Sequence, residues 1–112
     1  MDNLEKYRDI IEQSLSEYTK IPYSYSDIKT LSVFDRNADR YLLIEAGWDK
    51  DGVRVSGLLV HVALKDGKIW IHYDGTEDGV AADFEAAGVP KSQIVLGFHP
   101  PEIRPYTEYA AA

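Results

Sequence analysis

The feature that most constrains the fold is an Asp66-Gly67 pair set between two runs of alternating apolar residues. Such a pair is typical of a two-residue hairpin turn, because both central positions of that turn take positive φ angles. The turn predicts four facing pairs, which are Lys65 and Lys68, Leu64 and Ile69, Val62 and Ile71, and His61 and His72. One face of this hairpin is therefore apolar, which predicts a sheet packed on a hydrophobic core.

Two earlier turn signals, at residues 35–39 and 49–52, extend this hairpin into a meander. We expect four antiparallel strands near residues 28–35, 40–48, 53–64 and 68–73. The first hairpin is apolar on both faces, with Phe34, Tyr41 and Leu43 on one and Leu31, Val33, Leu42, Ile44 and Ala46 on the other. An antiparallel sheet with one solvated face alternates more cleanly. We therefore expect the C-terminal arm or a second subunit to cover one face, and the protein to form a homodimer or a larger homo-oligomer.

One helix is predicted before the meander in the sequence and one after it. Apolar residues recur at steps of three and four over residues 2–18, which indicates an amphipathic helix. A second helix is expected after Thr76 as its N-cap, ending at Gly88 before Pro90. A short strand over residues 94–98 and an extended, proline-containing C-terminal arm complete a single α+β domain spanning residues 1–112.

Composition excludes several classes of protein. The 112 residues include no cysteine, so disulfides and thiolate metal sites are excluded, and a reducing cytoplasm is the expected location. The acidic start lacks the basic and apolar regions of a secretory signal. The uncharged run at residues 55–64 is too short to span a membrane. A net charge of −7, with lysines and arginines scattered along the chain, predicts no direct nucleic-acid binding.

Candidate catalytic groups are few. His61 and His72 are predicted neighbours on one sheet face, but a divalent metal needs three or four ligands and His99 has no defined relation to the pair. No nucleophile or phosphate-loop motif is present. We expect no catalytic residue, metal or cofactor; a small enzyme or metal-binding domain using His61 and His72 is the alternative. The five acids between Asp74 and Glu85 indicate a solvated helix face or a contact for a basic partner.

Four segments carry a resemblance to a known family: LEKYRDIIEQSLSEY at residues 4–18, YLLIEAGWD at 41–49, KDGKIWIHYDGTE at 65–77 and AGVPKSQIVLGFHPPEIRPYTEYA at 87–110. Together they resemble the XisI family, the fdxN-element excision controlling factors of filamentous cyanobacteria. Two positions depart from the usual family pattern. His72 stands where glutamine is usual, which argues against a family-wide activity of the histidine pair, and Tyr109 stands where phenylalanine is usual.

The resemblance implies a non-catalytic accessory role in DNA rearrangement during heterocyst development. Family members act with a site-specific recombinase and with XisH, a companion that looks like a nuclease-fold protein. A direct DNA-binding cofactor is a third possibility. We expect the C-terminal arm to be the partner-binding or assembly element, because it combines prolines with residue types enriched in binding hot spots. Its candidate residues are His99, Pro100, Pro101, Arg104, Tyr106 and Tyr109. The alternative is that Tyr106 and Tyr109 close the core or the dimer seam.

Overall fold

A computed structural model describes residues 3–22 and 27–112 and has the predicted α+β architecture. Its elements are α1 (Asn3–Tyr18), β1 (Asp27–Asp35), β2 (Arg40–Trp48), β3 (Arg54–Lys65), β4 (Lys68–Asp74), α2 (Val80–Ala86) and β5 (Ile94–Leu96), with short 3-10 helices at Lys91–Gln93 and Arg104–Tyr106. The order of helices and strands confirms the prediction. Asp2, which the prediction placed in the first helix, lies outside the described residues. Among the described helices, none is long and apolar enough to cross a membrane.

The five strands form one sheet in the order β1-β2-β3-β4-β5, with the first four antiparallel and β5 parallel to β4. Lys65 pairs with Lys68 around the predicted Asp66-Gly67 turn, where φ is 54° and 78°. Both values lie in the left-handed region that a hairpin turn of this length requires. The turn therefore fixes the register that pairs the apolar residues of β3 and β4.

One predicted pair is wrong, because β3 and β4 contain a bulge. The register shifts between His61 and Val62, so that His61 faces Tyr73 and not His72. The extra residue still leaves the His61 and His72 rings on neighbouring positions, with their centroids 4.9 Å apart. A β-bulge changes local pairing by one residue without reversing the strand, and nothing in the turn sequence encodes it.

Both helices pack on one face of the sheet, which holds the main core. The fully buried members include Ile11 and Leu15 of α1, Tyr41 of β2, Val62 of β3 and Phe84 of α2. Alternation along the strands directs these side chains to the same side. We call the opposite side of the sheet the open face.

Ion pairs hold α1 against the β1–β2 turn. Arg36 in that turn contacts Glu5, Asp9 and Glu12 on α1, at distances of 2.9, 2.7 and 2.7 Å. Arg8 donates two hydrogen bonds to the Asp39 carboxylate, at 2.8 and 3.0 Å, and this guanidinium lowers the pKa of Asp39. The acids of the first helix turns therefore carry structural contacts in addition to their favourable place near the helix N-terminus.

The second helix starts later than predicted. Its N-cap is Gly79, whose φ of 86° lies outside the helical region, so Thr76 does not cap it. The Asp74 carboxylate instead accepts hydrogen bonds from the Thr76 backbone at 2.9 Å and the Val80 backbone at 2.7 Å. Gly88, with φ of 106°, ends the helix as predicted.

The C-terminal arm differs from the expected extended conformation. The predicted strand stops at Leu96, and the Gly97 N–H bonds to the Val95 carbonyl at 3.0 Å. The Ile103 N–H then bonds to the Pro100 carbonyl at 2.9 Å, and a 3-10 helix follows at Arg104–Tyr106. Pro105 is compatible with this helix because the first helical N–H groups need no partner within the helix.

Candidate functional site

The arm folds back over the β4–β5 part of the open face. Ala63, Trp70 and Val95 are buried there, and Ala110 packs against them. The Ala110 N–H donates a hydrogen bond of 2.9 Å to the Ile94 carbonyl, which adds a single parallel bridge beside β5. The arm therefore supplies part of the cover that the apolar open face was predicted to need.

Two of the predicted arm residues tie it to the body of the domain. The Arg104 guanidinium lies over the Trp70 ring, 5.1 Å from its centroid, and its Nε donates to the His99 carbonyl at 3.0 Å. The Tyr109 hydroxyl donates to the Glu85 carboxylate at 2.7 Å. Burial and this carboxylate raise the pKa of Tyr109 to about 12, so it keeps its proton at neutral pH.

The other predicted arm residues face outward to differing degrees. Tyr106 is 87% exposed, Pro100 and Pro101 are exposed in the turn, and the His99 ring lies 4.6 Å from the Phe98 ring. A tyrosine held outward on a short helix offers a large apolar area to a partner. The structure thus separates the predicted site into anchoring residues, Arg104 and Tyr109, and an outward-facing Tyr106.

The histidine pair lies beside this covered region. His61 Nε2 is 3.3 Å from Arg40 Nη1, while the His72 ring stacks on Trp70 with centroids 6.0 Å apart. Gly97 passes so close that an added Cβ would lie 3.0 Å from His72 Nδ1. His72 is consequently held between Trp70 and the chain leaving β5.

Burial lowers the pKa of both histidines, and nearby cations lower it further. The neighbouring charge is Arg40 for His61; for His72 it includes His61, Arg40, Lys65 and Arg104. Both rings are therefore neutral near pH 7. Within residues 3–22 and 27–112, no three histidine, aspartate or glutamate side chains converge to hold a metal ion.

Among residues 3–22 and 27–112, the arm covers β4 and β5 but leaves the β1–β3 part of the open face exposed. Strand register places five aliphatic residues there, Leu31, Val33, Leu42, Ile44 and Leu58, which we call the bare patch. Leu31, Val33 and Leu58 are 45%, 47% and 42% exposed. Most of this apolar face is evident from the alternation of β1 and β2, but the part that the arm reaches is not encoded in that pattern.

Cations that are scattered along the sequence gather on the open face. Strand alternation and register place Lys29, Arg40, Arg54, Lys65 and Lys68 there, and the arm adds Arg104. Arg54 lies over the exposed Trp48 ring, and Lys65 lies over Trp70. This grouping is not predicted from the sequence, because spacing along the chain does not show that the strands bring these residues to one side.

Four of the surface clefts in the described part of the chain lie along α1, α2 and the edge strand β1. The largest is lined by Thr19–Pro22 and residues 27–32, and the others involve Tyr18, Leu59, Asp83 and Glu12 among their walls. None of these four clefts is lined by His61, His72 or Arg104. The joint pocket that an enzyme using these three residues would need is not among them.

Comparison with protein-family models places residues 1–111 in the family described as XisI protein. The chain belongs to the XisI family. A solved structure of a XisI-like protein from Anabaena variabilis superposes with a TM-score of 0.87 at 31% identity, covering 97% of this chain and 99% of that one. The structure of the fdxN element excision controlling factor XisI from the same organism gives a TM-score of 0.81 at 34% identity, covering 99% and 100%. A search of curated proteins finds no match.

These matches cover the arm as well as the core. Because the aligned part includes 97% or more of this chain in both XisI relatives, helices, sheet and most of the C-terminal arm belong to the shared fold. The resemblance inferred from the sequence segments is therefore confirmed at the level of family and architecture. Fold alone does not assign a function, which has to be argued from surfaces and chemistry.

Proposed function

We propose that this protein is a non-catalytic controlling factor for excision of a DNA element, and that it acts by contact with other proteins. The observation that carries the proposal is the near full-length match to a XisI described as an fdxN element excision controlling factor. The surfaces support a contact role, since the bare patch and Tyr106 present apolar area outward. We place this role in the cytoplasm of a filamentous cyanobacterium during heterocyst development.

The proposed partners are a XisH-like companion and the recombinase. The chain has a net charge of −7, and Glu77 and Asp78 are exposed before α2. Complementary charge speeds association and selects partners, so this acidic surface suits the basic surface of a DNA-handling protein. Through such a contact the protein would mask or position the companion without itself contacting DNA.

We also propose that the protein self-associates. The expected contact includes part of the sheet or the C-terminal arm, where Tyr106 projects. Sedimentation velocity at micromolar concentration is expected to show a dimer or larger species, and a monomer under these conditions would contradict this proposal.

The proposed function is tested by purifying the tagged protein with a co-expressed XisH-like companion and measuring excision of a reporter element. We expect a stoichiometric complex, and excision that depends on this protein. A doubly substituted Glu77→Lys, Asp78→Lys variant is expected to weaken the complex, with Asp49→Asn in the β2–β3 turn as a control. Failure of the wild-type protein to capture the companion or to affect excision would overturn the proposal.

A small enzyme using His61 and His72 is the second candidate, supported by the 4.9 Å separation of their rings. His72→Gln removes one imidazole while keeping a polar side chain of similar length. We expect this variant to support excision at the wild-type level. If it abolished activity while the protein stayed folded, the enzyme candidate would replace the contact role.

A further inference from the structure

The bare patch forms a continuous apolar surface across three strands. Register sets Leu31 beside Ile44 and Ile44 beside Leu58 in one row, with Val33 and Leu42 in the next. Neighbouring strands lie about 4.8 Å apart, so paired residues of adjacent strands place their side chains next to one another on the same face. Contiguous exposed aliphatic groups of this kind mark contact surfaces more often than scattered ones do.

Cations border the bare patch at both ends of its strands. Arg40, Lys65 and Lys68 lie toward the β3–β4 turn, and Lys29 and Arg54 lie toward the opposite end. In the parts of the chain that the structure describes, the salt bridges involve Arg8, Lys20, Arg36 and Lys91, and none of these border cations. The border therefore presents positive charge that the described carboxylates leave unpaired.

The carboxylates of the domain are distributed differently. On the open face, register places Asp27 and Asp35 at the two ends of β1, whereas Glu5, Asp9 and Glu12 lie on α1. Asp35 pairs with Arg40 in the strand register, so the open face carries two strand carboxylates against five strand cations and Arg104, which leaves a positive excess on one face of an acidic protein. A protein surface with an apolar centre and an excess of one sign of charge around it selects partners of matching shape and opposite charge.

We propose that the bare patch and its cationic border dock a segment of a partner protein that presents apolar side chains flanked by carboxylates. The inference rests on the premise that this chain acts by protein contact, and it adds a second surface to the acidic one before α2. Arg104 on the arm continues the border toward β5, so arm and patch form one contact surface.

Charge argues against the other occupants of this surface. A second copy stacked face to face by a two-fold axis would bring cationic ends against cationic ends, which is unfavourable. The proposed self-association is therefore expected at another part of the sheet or at the tip of the arm. Duplex DNA requires a continuous set of cations along its phosphates, whereas here aliphatic rows separate the two cationic ends. An acidic segment with apolar side chains satisfies both the centre and the border.

The test uses fluorescence anisotropy with two labelled peptides, one alternating leucine with glutamate and one alternating leucine with lysine. The full-length protein is expected to bind the glutamate peptide at least about tenfold more tightly than the lysine peptide. Two double variants are each expected to weaken binding of the glutamate peptide by about tenfold or more. One is Leu31→Ser with Leu58→Ser, and the other is Arg40→Glu with Lys65→Glu. The matched controls are Ile21→Ser and Lys20→Glu, an exposed apolar and a cationic residue outside the patch, and they should bind as wild type.

Several results would overturn the proposal. Equal affinity for the two peptides, or wild-type binding by both patch variants, would remove the role of the patch. A dimer that dissociates on Leu31→Ser with Leu58→Ser would assign the patch to a second copy, and salt-sensitive duplex binding lost on Arg40→Glu with Lys65→Glu would assign it to DNA. Because circular dichroism verifies folding and the charge variants alter exposed positions, the test does not depend on the aliphatic variant being stable. If the protein failed to capture the XisH-like companion but still bound the glutamate peptide, the proposed function would be overturned and this inference would stand.

Discussion

The two faces of the sheet meet the same requirement, cover for apolar side chains, in different ways. The helix face is closed by α1 and α2, with Ile11, Leu15 and Phe84 fully buried, and by the ion pairs of Arg8 and Arg36. The open face is closed by the arm over β4 and β5 but leaves Leu31 and Leu58 more than two-fifths exposed. The difference indicates that one face maintains the fold and the other is available for contact.

Substitutions on the two faces should give the largest contrast. Leu15→Ala removes a fully buried side chain and is expected to lower the free energy of unfolding by about 2–5 kcal/mol. Leu31→Ala on the bare patch should change it by less than about 1 kcal/mol, because its side chain is already half in solvent. Urea denaturation followed by circular dichroism measures both values. Comparable losses at the two positions would show that the open face also holds the fold.

Removal of the arm should have an intermediate effect. Truncation after Pro101 loses the contacts of Arg104 with Trp70, Tyr109 with Glu85 and Ala110 with Ile94. At about 1 kcal/mol for each hydrogen bond and somewhat less for the cation–π contact, we expect a loss of roughly 2–3 kcal/mol with the sheet intact. Trp70 fluorescence should shift to the red, measured with Trp48→Phe so that one tryptophan reports. An unchanged midpoint of unfolding would mean that the arm contributes no cover.

The exposed tip of the arm should behave differently from its anchor. Tyr106→Ala is expected to leave the free energy of unfolding within about 0.5 kcal/mol of wild type, since the side chain is 87% exposed. Tyr109→Phe, which removes the hydroxyl bonded to Glu85, should cost about 1 kcal/mol. Companion capture should fall only for Tyr106→Ala. If Tyr106→Ala lowered stability and Tyr109→Phe lowered companion capture, the contact residue would be Tyr109.

The histidine pair should produce the smallest effect, a pH dependence. The folded protein holds the pKa of His61 and His72 below the ordinary value, so the unfolded chain binds more protons as the pH falls. Stability is therefore expected to decline from about pH 7 to about pH 5. His72→Gln should reduce this decline, because it removes one of the two titrating rings. If the midpoint of unfolding rose toward about pH 5 instead, burial and the neighbouring cations would not lower the pKa of these histidines as described.

The strand order and most of the core followed from local sequence, because turns and alternation are short-range signals. Asp66-Gly67 specified the β3–β4 register, and the spacing of Ile11 and Leu15 specified the buried side of α1. Local sequence did not specify three features: the bulge beside His61, the use of Gly79 and not Thr76 as the N-cap of α2, and the folded conformation of the arm. Each depends on contacts between segments distant in sequence or on a single backbone angle.

The site was less predictable than the fold. Arm residues were identified by type, but only the structure distinguishes Tyr106, which projects, from Tyr109, which anchors. The cationic border required the register of three hairpins before Arg40, Lys65 and Arg54 could be placed on one side. Charge counted along a chain does not report charge distributed over a surface.

Methyl NMR of the labelled protein during titration with the peptide that alternates leucine with glutamate tests the central claim that the open face is a contact side. Signals of Leu31, Val33, Ile44 and Leu58 are expected to shift or broaden as the complex forms. Signals of the helix-face residues Ile11, Leu15 and Val62 should stay in place, because their surroundings do not change. A complex that forms while the bare-patch signals remain at their free positions would contradict the account.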